Sequence, residues 1–168
     1  QDTPCLVGTY QPSAGQASCL GASPGHYVSS TGQTSQTPCL AGTYNPSSSS
    51  DSSSDCIPAP PGKYSGAGAA SPTQCSPGTY QPSAGQDSCI DADAGHYVST
   101  TGQSAQTECA AGTYQWATGQ DSCIDAGAGQ YVPWTGQSSP TPCPAGPYQP
   151  GTNAPICIDA DAGHYVPT

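Results

Sequence analysis

The amino-acid sequence predicts a small, disulfide-rich, mainly β protein made of tandem short β-hairpin repeats stacked into an elongated, solenoid-like rod with no helices. Three observations carry that expectation. The chain has 10 Cys in 168 residues, but only 33% of it is apolar, with no Phe, no Met and 2 Trp. Covalent staples therefore take the place of a conventional core. Its cysteines and tyrosines are periodic. No stretch keeps a 3.6-residue apolar period free of its 21 Gly and 19 Pro, which disfavours helix throughout.

Cysteines at 5, 19, 39, 56, 75, 89, 109, 123, 143 and 157 are separated by 14, 20, 17, 19, 14, 20, 14, 20 and 14 residues, which defines a unit of 14 + 20 = 34. The tyrosines Tyr10, Tyr27, Tyr44, Tyr64, Tyr80, Tyr97, Tyr114, Tyr131, Tyr148 and Tyr165 step by 17, with an interruption only around Tyr64. Each has a glycine two positions before it. A place that takes only Gly in ten internal copies calls for positive φ, or for a ring or another backbone lying against it, and the tyrosine is the natural ring.

Repeat 1 spans 1–38 and contains GTYQPSAGQ at 8–16, which returns verbatim at 78–86. Its segment QPSAGQ places Pro and Gly as a turn does, so each half-repeat reads as strand, turn and second strand. Repeat 2 spans 39–74, with a serine-rich insertion at 47–54. Its turn NPSSSSDSSSD runs three residues longer than its counterparts, which predicts a tip facing solvent. Repeat 3 spans 75–108, repeat 4 spans 109–142, and repeat 5, 143–168, is incomplete. The last residues GHYVPT align with GHYVST at 95–100, and the opening QDTPC with AQTEC at 105–109. The equivalents of 101–104 alone are missing, so the next copy, in the same chain or another, is expected to complete repeat 5 and continue an open array. QDTPC has no basic stretch followed by an apolar one, consistent with a mature product or a window on a longer chain.

The cysteines are expected in disulfides, which places the protein in an oxidising, extracellular setting, secreted or on a cell surface. The preferred pairing is Cys5–Cys19, Cys39–Cys56, Cys75–Cys89, Cys109–Cys123 and Cys143–Cys157, because it closes five similar loops. The other register joins Cys19 to Cys39 and so on, leaving Cys5 and Cys157 to link neighbouring chains. Closing each loop removes about 3 kcal/mol of unfolded-state entropy.

CAAGTYQWATGQDSC at 109–123 and CSPGTYQPSAGQDSC at 75–89 resemble the cysteine-rich repeats of the growth-factor-receptor and ephrin-receptor-like superfamily. The resemblance covers essentially the whole chain. It implies extracellular, disulfide-linked, rod-like modules used for spacing, adhesion or assembly. This chain has one Cys per half where such repeats often carry close pairs, so the family's bridge pattern is not transferred.

One Lys, no Arg and 11 acidic residues give a formal charge of −10, which excludes nucleic acid and anionic lipid as partners. No apolar run approaches a membrane span. Asp91, Asp93, Asp159 and Asp161, with Asp125 in a related stretch, alternate as carboxylates do in a calcium loop. Their equivalents in repeats 1 and 2 are GASPGH and PAPPGK, and no distal Glu follows, so a solvated acidic turn is the default and no cofactor is expected. His26, His96 and His164 share a position held elsewhere by Lys63 or Gln130, as surface side chains would. Trp116 and Trp134 fall near turn tips, suited to a protomer contact, a carbohydrate platform or packing on a neighbour. Ser47, Ser48, Ser49, Ser50, Ser52, Ser53 and Ser54 are candidates for O-linked glycan. No nucleophile, phosphate loop or catalytic cluster is present, so no enzyme is expected. The sequence thus points to a structural subunit of an extracellular fibril, appendage or stalk that joins copies of itself head to tail and carries glycan. A receptor-like or adhesin ectodomain is the alternative.

Overall fold

The structure, a computed structural model, describes residues 3–164. It divides into two compact units, Gln1–Cys75 with Gln81–Cys89, and Ser76–Tyr80 with Ile90–Thr168. In the first unit β1 (Thr9–Tyr10) pairs with β2 (Leu20–Gly21), β3 (His26–Tyr27) with β4 (Thr37–Pro38), β5 (Thr43–Tyr44) with β6 (Ile57–Pro58) and β7 (Lys63–Tyr64) with β8 (Thr73–Gln74). In the second, β9 (Thr79–Tyr80) pairs with β10 (Ile90–Asp91), β11 (His96–Tyr97) with β12 (Thr107–Glu108), β13 (Thr113–Tyr114) with β14 (Ile124–Asp125) and β15 (Gln130–Tyr131) with β16 (Thr141–Pro142). All eight ladders are antiparallel and two-stranded, and a bridge from Tyr148 to Ile158 makes a ninth hairpin. The expected mainly β, disulfide-rich hairpin fold is what the chain adopts.

Strands are short because each is bounded by a turn of its own. Ahead of the first strand of each two-stranded ladder, a four-residue turn is closed by bonds such as Thr9 N–H to Leu6 O (3.1 Å) and His96 N–H to Asp93 O (2.9 Å). The invariant glycine is the third residue of that turn, with φ +77° at Gly8 and +85° at Gly95. A type II turn needs positive φ there, so the glycine rule read from the sequence has its first cause in the backbone.

The buried interior is thin and made of small groups. Most hairpins contribute the residue after their tyrosine, such as Val28, Asn45 and Ser65 in the first unit or Val98, Gln115 and Val132 in the second. They add the residue that follows the second strand, alternately Ala and Cys: Ala22, Cys39, Ala59 and Cys75, then Ala92, Cys109 and Ala126, all fully buried. Every described tyrosine is only half-buried. Tyr165 lies outside the described residues.

The serine insertion is mostly exposed, as expected, but it is also tied down. Ser49 N–H donates to Ala22 O (2.7 Å) and Ser50 O accepts from Val28 N–H (3.0 Å), so the turn is bonded to its neighbours through 49–50. The extra length is taken up in 51–55, where Ser53–Asp55 form a 3-10 turn. Ser52 caps it through Ser54 N–H (3.1 Å), while Asp55 accepts from Ser52 N–H (3.3 Å). That capping box on an S-x-x-D stretch makes one short helical turn where the sequence predicted none. No α-helix occurs among the described residues.

Candidate functional site

The chemistry of this chain lies in the frame by which each hairpin binds the next. The glycine N–H donates to the carbonyl of the residue after the next hairpin's tyrosine: Gly25 to Asn45 O (2.7 Å) in the first unit, Gly95 to Gln115 O (2.7 Å) in the second. The residue after the tyrosine then donates into the next turn, as Val28 does to Ser50 O (3.0 Å) and Val98 to Gln120 O (3.0 Å). A third contact skips one hairpin. The α-carbon of Gly25 is closed off by the carbonyl of Gly68, and that of Gly95 by the carbonyl of Gly136. The same turn glycines donate back, Gly68 N–H to Cys39 O and Gly136 N–H to Cys109 O, both at 2.9 Å. The group pressed against the invariant glycine is therefore a backbone carbonyl from two hairpins on, and not the tyrosine ring expected from the sequence. Backbone packed this closely leaves no room for a Cβ, which gives the invariance its second cause.

The turn position itself wants positive φ. Where it is not glycine it is Ser49 or Asn153, both at φ +57° and the two non-glycine residues in that region among the described residues. Asn enters the left-handed region readily, and Ser49 is held there by its bond to Ala22.

Each disulfide-closed hairpin carries a device the sequence reading passed over. The residue after its tyrosine is an amide: Gln11, Asn45, Gln81, Gln115 or Gln149. Gln115 Nε2 donates to Ser122 O (2.8 Å) across the loop, while its Oε1 accepts from Ala117 N–H (3.1 Å). Gln81 repeats this with Ser88 O (2.9 Å) and Ser83 N–H (3.1 Å). Asn45, shorter, reaches the Ser50 hydroxyl (2.8 Å) and accepts from Ser47 N–H (2.9 Å). The signal was present as an alternation: amide after the tyrosine in hairpins with a bridge, Val or Ser in those without.

The disulfides follow the preferred register: Cys5–Cys19, Cys39–Cys56, Cys75–Cys89, Cys109–Cys123 and Cys143–Cys157, with no free cysteine. The alternative joining Cys19 to Cys39 is excluded. The bridges enclose every other hairpin and leave the intervening ones to hydrogen bonds, including Ser23 N–H to Gln36 Oε1 (2.7 Å) and Asp93 N–H to Gln106 Oε1 (2.6 Å).

The remaining candidates stay apart. Among the described residues no three of His, Cys, Asp or Glu come together as a metal-binding group. Asp93 instead accepts from Gln106 Nε2 (2.7 Å). His26 is turned onto its own backbone at Pro24 O (3.3 Å) and packs beside Gly68, and His96 faces Ala94 O (3.4 Å). Trp116 and Trp134 are each 70% exposed, so neither packs on an adjacent half-repeat. Of the serines proposed for glycan, Ser47, Ser48, Ser49, Ser53 and Ser54 are exposed and Ser52 half-buried. Ser50 leaves that set, because it is buried with its hydroxyl taken by Asn45.

Two grooves stand out among the described residues. One, of about 510 Å³, runs beside the Cys5–Cys19 bridge, between Thr3–Cys5, the turn at Gln11–Gln16 and Gly32–Thr34. The other, about 530 Å³, is walled by the serine insertion and Ile57. No helix among the described residues is long and apolar enough to cross a membrane. Against known proteins, the model of the family described as tyrosine-protein kinase ephrin type A/B receptor-like matches residues 3–39 and 62–106. No curated protein matches the chain.

Proposed function

From the match of residues 3–39 and 62–106 to the ephrin-receptor-like model of cysteine-rich repeats, we propose that the chain is a structural subunit of an extracellular fibril, appendage or stalk. Its hairpin frame continues from one copy into the next, head to tail. The observation that carries this reading is the repetition of one contact along the chain. At Gly25, Gly42, Gly78 and Gly95 the place of a Cβ is closed by a turn carbonyl two hairpins on. Each such hairpin is therefore shaped to receive further hairpins of the same sequence.

Five disulfides require an oxidising compartment, which supports a secreted or surface location. Glycan on the exposed serines would shield the turns from proteases. Negative-stain microscopy of native material tests the assembly: filaments support it, and dispersed monomers at high concentration exclude it. An intact mass equal to the bare oxidised polypeptide excludes the glycan. The second reading, an adhesin or receptor-like module, is favoured by the exposed Trp116 and Trp134, which offer stacking faces to a sugar ring. Glycan-array binding that disappears in the Trp116→Ala, Trp134→Ala double variant would establish it.

A further inference from the structure

We infer that the row of tyrosines paired with leucine or isoleucine on the disulfide-closed hairpins is a lateral contact surface, and that its occupant is a second copy of this chain lying alongside. The inference goes beyond end-to-end assembly and does not rest on it.

The molecule inverts the usual order of burial. It has 3 Leu and 5 Ile, and all eight are exposed, whereas its interior is made of Val, Ala, Cys and small polar groups. Leu and Ile are among the residues most often fully buried, so a chain this poor in apolar residues has put its largest aliphatics outside. Five of the eight hold one position. Each follows the second cysteine of a bridge and lies directly across the ladder from a half-buried tyrosine, in the pairs Tyr10–Leu20, Tyr44–Ile57, Tyr80–Ile90, Tyr114–Ile124 and Tyr148–Ile158. In hairpins without a bridge that position is threonine, as at Thr37 and Thr107. Ile57, Ile90 and Ile124 are 44%, 46% and 37% exposed with hairpins before and after them in the chain, so the exposure belongs to the repeat itself.

The frame sets these pairs at a fixed interval. In the first unit the Ser49 carbonyl, from the hairpin of Tyr44–Ile57, closes over Gly8 in the hairpin of Tyr10–Leu20. In the second, the Gly119 carbonyl closes over Gly78 and the Asn153 carbonyl over Gly112, which joins the hairpins of Tyr80–Ile90, Tyr114–Ile124 and Tyr148–Ile158 in series by the same contact. Side chains opposite one another on a ladder share a face, so each unit carries a row of aromatic and aliphatic pairs on hairpins that touch directly. The row is uncharged. Asp91, next to Ile90, lies on the other side of its strand, with its carboxylate 3.5 Å from the Cβ position of Gly119.

These features select the occupant. A periodic apolar row marks an interaction surface where singly scattered apolar residues would not. Its fixed interval is met at every pair only by a surface with the same interval, and a second copy has it. Two copies related by a twofold axis would lay row on row, in an isologous contact that closes. The formal charge of −10 on each copy opposes their approach, and salt screens that repulsion while leaving apolar burial in force. Lateral pairing is therefore expected to strengthen as ionic strength rises, the reverse of an ionic contact.

The experiment is sedimentation velocity of the oxidised full chain across concentration and salt, with the wild type compared to the triple variant Ile57→Thr, Ile90→Thr, Ile124→Thr. Threonine is the residue that the bridge-free hairpins already hold at this position, and the frame glycines and turns are left unaltered. The wild type is expected to self-associate, most strongly toward about 1 M salt, where charge acts over only ~3 Å. The variant, its five bridges verified by intact mass, should associate at least roughly tenfold more weakly. Should the triple variant lose its bridges, Ile124→Thr alone is read in its place and should weaken association in the same direction. A wild type that stays monomeric, association that falls with salt, or equal association of wild type and variant overturns the inference.

Discussion

At the scale of single residues, Ser65 stands out. Its hydroxyl is fully buried with no hydrogen-bond partner, at a position that is Val28, Val98 or Val132 in comparable hairpins. Burying an unsatisfied hydroxyl costs about 1–3 kcal/mol, so Ser65→Val is expected to stabilise the oxidised protein by about 1 kcal/mol or more. A lowered denaturation midpoint would show that the site tolerates no extra methyl groups. The frame glycines give a paired test. Gly25→Ala combines strain at positive φ with collision against the Gly68 carbonyl, and should cost about 3 kcal/mol or more. Gly129→Ala meets no described atom and should cost only the strain, about 1 kcal/mol. Equal losses in thermal melts would remove the carbonyl from the account. The sequence made these glycines conspicuous, but it could not separate the demand of the turn from the demand of the packing, because both erase the Cβ.

At the scale of the hairpin, two designs alternate. Hairpins inside a disulfide loop also hold an amide, buried at Asn45, Gln81 and Gln115, that bonds across the turn, and the hairpins between them hold a small aliphatic or a serine. Gln115→Ala should strand the Ser122 carbonyl and the Ala117 amide and destabilise that hairpin by about 1–3 kcal/mol. Hydrogen exchange reads this locally: Ala117 N–H should lose protection while Ser83 N–H, in the equivalent loop at Gln81, keeps it. Unchanged protection at Ala117 would mean that the disulfide alone holds the loop. The serine insertion teaches the same lesson at this scale. Composition marked it as a surface excursion, yet Ser49 and Ser50 take over the turn's backbone bonds, and only 51–55 absorb the additional length.

For the molecule as a whole, covalent closure carries the stability that its small buried groups cannot. Each loop of 14 or 17 residues is worth about 3 kcal/mol through the unfolded state, and a typical domain has a net stability of about 5–15 kcal/mol. Reduction of all five bridges should therefore abolish the fold. Circular dichroism and limited proteolysis with and without reductant check this, and a reduced chain that stays protease-resistant would place the stability in the backbone ladder instead. The sequence by itself determined the hairpin repeat, the pairing favoured for the cysteines and the need for glycine before each tyrosine, because these follow from spacing and from local backbone sterics. Only the tertiary structure decided what closes over that glycine and that Gln and Asn serve as internal locks. The closure joins residues two hairpins apart through backbone atoms, which every residue type carries alike and which therefore leave little trace in the identity of the side chains; the locks did leave a trace, the amide after every other tyrosine, but its partners are backbone groups that only the folded loop brings together.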